Sequence, residues 1–170
     1  MDTYLAIASR REDRSYVDRP IPEEVVRRIL EAGRVAGSAA NRQPWTFHVL
    51  EDRALLEIVA ETVYVPSNLL DASLVVVISV RGGGPASFDA GRAAQNMMLA
   101  AWNEGVGSCP NGMPEASRTG EALGLESEQQ PLIVLSFGYP ARPRNPESRS
   151  PEEWIERANR KPFDEIVKRV

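Results

Sequence analysis

An α+β layered domain is the fold class this sequence predicts, and three observations predict it. Runs rich in β-branched and aromatic residues, at 45–50, 74–78 and 132–137, alternate with segments of helical periodicity. The middle run, Leu74-Val75-Val76-Val77-Ile78, is apolar without interruption, the mark of a strand covered on both faces. No repeat, low-complexity tract or linker divides the 170 residues, which suffice for one core, so a single domain over 1–170 is expected.

Each element has a local reason. Tyr4 to Ser9 reads as a short helix, followed by the polar stretch Arg10-Arg11-Glu12-Asp13-Arg14-Ser15. Pro22 opens a second helix, with Glu23 and Glu24 at the positive end of its dipole. Val25, Val26, Ile29 and Leu30 give that helix a buried face through about Arg34. Gly37 to Pro44 is a loop, and Trp45 to Leu50 a strand. Asp52 is the expected N-cap of a helix over Ala54–Val63, and Pro66-Ser67-Asn68 interrupts the chain. After the apolar strand, Gly82-Gly83-Gly84-Pro85 leads into a long helix, Phe88 to Asn103, whose Ala, Met and Leu content suits a central buried position. Gly105 to Gly112 reads as a tight turn, and a short helix from Glu115 ends at the C′ glycine Gly124. Leu132 to Phe137 is the last core strand. Ser150-Pro151-Glu152-Glu153 is a capping box, and Pro162 starts a final short helix. Residues 140–149 hold three prolines and three arginines with almost nothing apolar, so this arm is expected on a surface or on another subunit.

The composition excludes several chemistries. Only His48 and Cys109 could ligate a zinc ion softly, short of the three or four ligands such sites use. A nucleophilic triad would rest on His48 alone. A single Cys cannot close a disulfide within the chain and fits a reducing, cytoplasmic setting; no signal peptide or membrane-spanning run is visible. The net charge is −4, but residues 51–130 carry 11 acids against 4 bases, whereas the two ends together carry 16 bases against 13 acids. Scattered Arg in a chain of pI about 5.2 argues against a nucleic-acid partner. His48 reads as a packed strand histidine, Cys109 as a core or turn residue, and Trp45 and Phe47 as packing residues.

Of the 20 basic residues 18 are Arg, and two clusters stand out: Arg10, Arg11 and Arg14 after the first helix, Arg160 and Lys161 before the last. Each is either a solvated charge run or part of a clamp for one phosphate. The loop Gly37-Ser38-Ala39-Ala40-Asn41-Arg42-Gln43-Pro44 combines small residues, which let backbone approach a flat ligand, with amides that both donate and accept.

In order along the chain, these segments resemble the nitroreductase family of FMN-dependent oxidoreductases. Arg10-Arg11-Glu12-Asp13-Arg14-Ser15-Tyr16 with Arg19-Pro20-Ile21-Pro22 resembles that family's opening motif, and Gly37 to Trp45 its P-S-x-x-N-x-Q-P-W loop. Leu70-Asp71-Ala72-Ser73, the run Asp89 to Ala101 with Gly105 to Cys109, and Phe137-Gly138-Tyr139-Pro140 continue the resemblance over nearly the whole chain. It implies a mostly antiparallel central sheet flanked by helices, and a homodimer binding FMN at the subunit interface. Arg10, Arg11, Asp13 and Arg14, joined by Arg160 and Lys161, would lie at the phosphate and ribityl chain. Ser38, Ala39, Asn41 and Gln43 would come from the partner subunit, while Cys109, Pro110, Asn111 and Gly112 would lie along the flavin edge. Asn68 stands where relatives carry a Lys facing the pyrimidine side of the flavin.

The chain departs from the pattern at Glu12-Asp13, an acidic pair, at Gly37 in place of Pro, and at Asn68. It is also short, lacking the long excursion between the central helix and the last strand. The resemblance implies hydride transfer from NADH or NADPH to the flavin, then electron transfer to a nitroaromatic, quinone or similar flat acceptor. No side-chain acid, base or nucleophile is required, because the flavin carries the chemistry. Two alternatives remain open: a flavin-binding store or sensor without turnover, and another flavin chemistry such as dehalogenation.

Overall fold

A computed structural model describes all 170 residues. They form two compact units, one of residues 11–143 and one combining 1–10 with 144–170.

The larger unit is built on four strands: β1 (Trp45–Val49), β2 (Leu74–Arg81), β3 (Gly107–Asn111) and β4 (Gln129–Gly138). Their order is β1-β2-β4-β3 and every pairing is antiparallel. Five helices flank them: α2 (Glu23–Arg34), α3 (Arg53–Ala60), α4 (Ser67–Leu70), α5 (Ala86–Asn103) and α6 (Ala116–Ala122). This is the α+β class expected, with the helices divided between two faces of the sheet.

The uninterrupted apolar run has the predicted cause. Val76, Ile78 and Val80 of β2 point to one face, where they pack with Val25 and Ile29 of α2 and Met97 of α5. Val75 and Val77 alternate to the other face and pack with Leu56 and Val59 of α3 and Leu69 of α4. A register shift between Ile78 and Ser79 brings Ser79 opposite Pro131, a residue without an N–H to donate to the ladder. Trp45 and Phe47, two apart and so on one face of β1, stack with ring centroids 6.3 Å apart against the first of these cores.

Two segments differ from the sequence expectation. Gly107–Asn111, expected as part of a turn, is the edge strand β3, and it tolerates Pro110 because a proline's missing donor matters least where no further strand pairs. The Pro66-Ser67-Asn68 interruption begins a one-turn helix, with Pro66 at its N-cap. Gly124 has φ +63°, the left-handed conformation that a helix-ending glycine adopts without steric cost.

His48 is half-buried, with Nε2 2.8 Å from the Ser79 hydroxyl, and burial lowers its pKa from the ordinary 6.5. The folded protein therefore binds this proton less readily than the unfolded chain, and the neutral imidazole's contribution is fully present above pH 6.5. It is expected to be lost as pH falls below that value, until the folded imidazole also titrates. Thermal melts at pH 7.5 and 5.5 check this: His48→Gln should narrow the drop in melting temperature, and an identical drop removes His48 as a cause.

The smaller unit contains α1 (Thr3–Ser9), α7 (Pro151–Glu156) and α8 (Phe163–Ile166). Asp2 caps α1 through hydrogen bonds to Tyr4 and Leu5, and the expected Ser150–Glu153 capping box is formed at α7. Here α1 packs on α7 and on the single 3₁₀ turn Pro146–Ser148. Trp154 donates its indole N–H to the Pro146 carbonyl at 2.8 Å beneath the guanidinium of Arg149.

Candidate functional site

The segment after the first arginines runs beside the edge strand β3. Glu12 pairs in parallel with Ser108, and Asp13 donates its N–H to the Ser108 carbonyl at 3.1 Å. Further along, Val17 N–H bonds the Tyr139 carbonyl and Ala141 N–H bonds the Ser15 carbonyl, both at 2.9 Å. This backbone pairing holds Arg11, half-buried, and Arg14, exposed, along the β3 side of the sheet. Tyr16 anchors the segment from below: its hydroxyl donates to the Asp13 carbonyl at 2.6 Å and lies 3.1 Å from Ser136 Oγ. Burial is the main cause pushing the Tyr16 hydroxyl pKa well up, so it stays protonated and able to donate.

Across β3, Asn68 on α4 is buried and donates Nδ2–H to Asn111 Oδ1 at 2.9 Å. Asn111 in turn donates to the Cys109 carbonyl (3.0 Å), the Val134 carbonyl (3.3 Å) and Ser136 Oγ (3.2 Å). Gly112 accepts the Tyr64 N–H at 3.3 Å. Cys109 is buried and Pro110 half-buried. Three parts of the predicted set, residues 11–14, Asn68 and 109–112, are therefore brought together at one edge of the sheet.

The loop containing Ser38, Ala39, Asn41 and Gln43 lies elsewhere. It leads into β1, the opposite edge strand, and three inter-strand spacings separate β1 from β3, about 14 Å. Its backbone is strained: Ala40, Asn41 and Gln43 have φ of 50°, 54° and 49°. Local bonds hold it there. Ser38 Oγ accepts the Gln43 N–H at 2.9 Å, the Gln43 amide donates to the Asn41 carbonyl at 3.2 Å, and Asp89 Oδ2 accepts the Ala39 N–H at 2.9 Å. Asp89 is buried in the first turn of α5, 3.7 Å from the Arg92 guanidinium. Asp89→Ala is expected to cost about 1–2 kcal/mol and to speed amide hydrogen exchange over residues 39–43. Unchanged exchange there would show that Asp89 does not hold the loop.

Arg10, Arg160 and Lys161 belong to the smaller unit. Arg10 follows α1, its N–H bonded to the Ala6 carbonyl at 3.1 Å. Arg160 and Lys161 are exposed between α7 and α8, after Asn159 at φ 50°.

Sequence reasoning missed three supporting residues. Tyr16 stood inside a quoted motif, but its role is set by what lies beneath it. Ser136 carried a signal, a hydroxyl inside the apolar run Leu132 to Phe137, and Asp89 another, an acid among small apolar residues at the start of a buried helix.

In sequence and in fold the chain is similar to known proteins. The sequence profile described as the nitroreductase family matches residues 7–81 and 67–139. A protein of Methanothermobacter thermautotrophicus, provisionally named NADH dehydrogenase/NAD(P)H nitroreductase, is 31% identical over 158 residues, 88% of this chain and 82% of the relative. An NADH dehydrogenase of Thermus thermophilus is 27% identical over a gapped alignment of 194 positions that covers 91% of this chain and 95% of the relative. Among solved structures, a provisionally named nitroreductase of Desulfovibrio desulfuricans in complex with FMN superposes with a TM-score of 0.83 at 28% identity, covering 100% of this chain and 98% of that one.

Proposed function

This chain belongs to the nitroreductase family, and from that premise we propose that it is an FMN-dependent NAD(P)H oxidoreductase, working as a homodimer on a flat acceptor such as a nitroaromatic or quinone. The observation that carries the proposal is the convergence of residues 11–14, Asn68 and 109–112 at the β3 edge, three segments far apart in sequence.

The chemistry of the donor set fits FMN. Guanidinium groups of Arg11 and Arg14 in the larger unit, and of Arg10 and Arg160 with the Lys161 ammonium in the smaller, are each of the chemistry that suits a phosphate, neutralising it while donating hydrogen bonds. Asp13 joins the ribityl side through its segment. Amides and backbone at Asn68 and 109–112 suit the carbonyl and N–H edge of the ring. Ser38, Ala39, Asn41 and Gln43 form a second donor and acceptor group at the opposite edge, and β2 and β4, covered on both faces, fill the space between. That separation supports a second copy of the chain supplying the loop. Bound FMN supplies the redox chemistry, accepting a hydride from NADH or NADPH and passing electrons on. The protein's own part is to bind, orient and shield. A cytoplasmic setting is supported by the single, buried Cys109; no helix is long and apolar enough to cross a membrane.

Anaerobic addition of NADH or NADPH to the FMN-loaded protein tests the reading. Bleaching of the flavin's visible absorbance, restored by a quinone or nitroaromatic, is expected; no bleaching with either donor overturns the enzyme. Arg10→Ala is expected to weaken FMN binding by about 1.5–3 kcal/mol, the scale of a charge-assisted hydrogen bond. An unchanged dissociation constant removes Arg10 from the site. Light scattering checks the dimer.

A further inference from the structure

Four side chains from four separate segments form one continuous line of hydrogen bonds beneath the β3 edge. The Tyr16 hydroxyl is 3.1 Å from Ser136 Oγ on β4, Ser136 Oγ is 3.2 Å from Asn111 Nδ2 at the end of β3, and Asn111 Oδ1 is 2.9 Å from Asn68 Nδ2 on α4. Ser136, Asn111 and Asn68 are all buried, so each bond is made in a low-dielectric setting where a lost partner is costly.

The direction of the amide bonds is forced. Asn111 Nδ2 faces the Cys109 and Val134 carbonyls, which only accept, so its NH₂ end must stay on that side. Its oxygen then faces Asn68, and Asn68 must answer with its own NH₂ group. The remaining end of the Asn68 carboxamide is therefore an acceptor, with no freedom to flip. At the other end of the line, the Tyr16 hydroxyl, which donates to the Asp13 carbonyl at 2.6 Å, lies 3.1 Å from Ser136 Oγ, and the Ser136 hydroxyl also reaches the Cys109 carbonyl at 3.3 Å. The same tyrosine thus ties the segment bearing Arg11 and Arg14 to the line that orients Asn68.

We propose that Tyr16, Ser136 and Asn111 are positioning residues that lock Asn68 as a hydrogen-bond acceptor, so that what Asn68 recognises on the cofactor is an N–H or O–H donor. A Lys at this place would offer only donors; the locked amide presents an acceptor there. The proposal rests on the FMN reading above and deepens it.

A double-mutant cycle on FMN dissociation constants, using Tyr16→Phe and Asn68→Ala, tests it. The two residues are connected through Ser136 and Asn111, whereas independent roles would make their losses multiply. The expected result is that each single variant weakens binding about 3–10-fold and the double variant by less than about twofold more than the weaker single. The midpoint potential of bound FMN should also move in the same direction in both single variants, a shift that a purely structural tyrosine would not cause. Should Tyr16→Phe fail to fold, Ser136→Ala takes its place under the same criteria. Multiplicative losses together with a potential unchanged by Tyr16→Phe overturn the positioning role while leaving FMN binding intact. A wild-type protein that binds no FMN overturns the cofactor reading instead, and this proposal with it.

Discussion

Replacing Asn111 by Asp is expected to destabilise the protein by about 3–5 kcal/mol, the cost of a buried charge left without compensation, although it exchanges one NH₂ group for an oxygen. In the native structure that NH₂ group serves the Cys109 and Val134 carbonyls and Ser136 Oγ, while the amide oxygen accepts from Asn68. A carboxylate can keep the last bond but turns a second oxygen against two carbonyl oxygens, in a position shielded from water. Asn111→Ala, which removes donors and acceptor together, should cost less, about 2–3 kcal/mol. The loss in the Asp variant should also depend on pH. Burial and the facing carbonyls raise the introduced carboxyl's pKa above its unfolded value. The variant should then be least destabilised below the unfolded pKa, where a protonated carboxyl still donates once, and should worsen as pH rises to the folded pKa. Urea unfolding of the two variants at pH 4 and 7, at one protein concentration, checks the order. An Asp variant as stable as wild type at pH 7 would show that Asn111 is not held between those carbonyls.

Gly138→Ala is the second large effect, expected to cost about 1–3 kcal/mol through overpacking and to weaken FMN binding as well. A Cβ at this position would lie 2.7 Å from Tyr16 Cγ, 2.8 Å from Cδ1 and 2.9 Å from Cβ. These atoms sit at the root of the side chain, so no rotation of its far end relieves the contact. Tyr16 cannot retreat as a body without breaking its bonds to Asp13 and Ser136, and its neighbours Ser15 and Val17 are bonded to Ala141 and Tyr139. The arginine-bearing segment must therefore move off the β3 edge. Gly120→Ala is the control: it lies within helix α6, its Cβ would meet nothing closer than 3.6 Å, and it should be neutral or slightly stabilising. Equal behaviour of the two variants in thermal melts and FMN titrations would contradict the packing account.

Both expectations concern residues whose importance the sequence expressed unevenly. Asn111 stood in a segment already singled out, yet as part of a turn. Local propensity around two glycines and a proline favours that reading, and only the pairing with β4 makes Gly107–Asn111 a strand. Gly138 lay in a family-like motif without a stated cause, because the cause is an aromatic ring 122 positions earlier in the chain.

The sequence by itself determined the layers. The alternation of helical and strand-like periodicity, the capping residues Asp52 and Ser150, the doubly covered run at Leu74–Ile78 and the C′ glycine Gly124 are all local, and they appear where propensity, capping and hydrophobic period dictate. It also marked the segments of the candidate site, since small residues, amides and clustered arginines are visible without knowing their neighbours. Only the tertiary structure decided the strand order β1-β2-β4-β3, and with it the division of that site between the two edges of the sheet. It also set the polarity of Asn68, which follows from two carbonyls on β3 and β4. The physical reason is the same in each case: propensities and caps act within a few residues, whereas strand order and hydrogen-bond direction are fixed by partners distant in sequence.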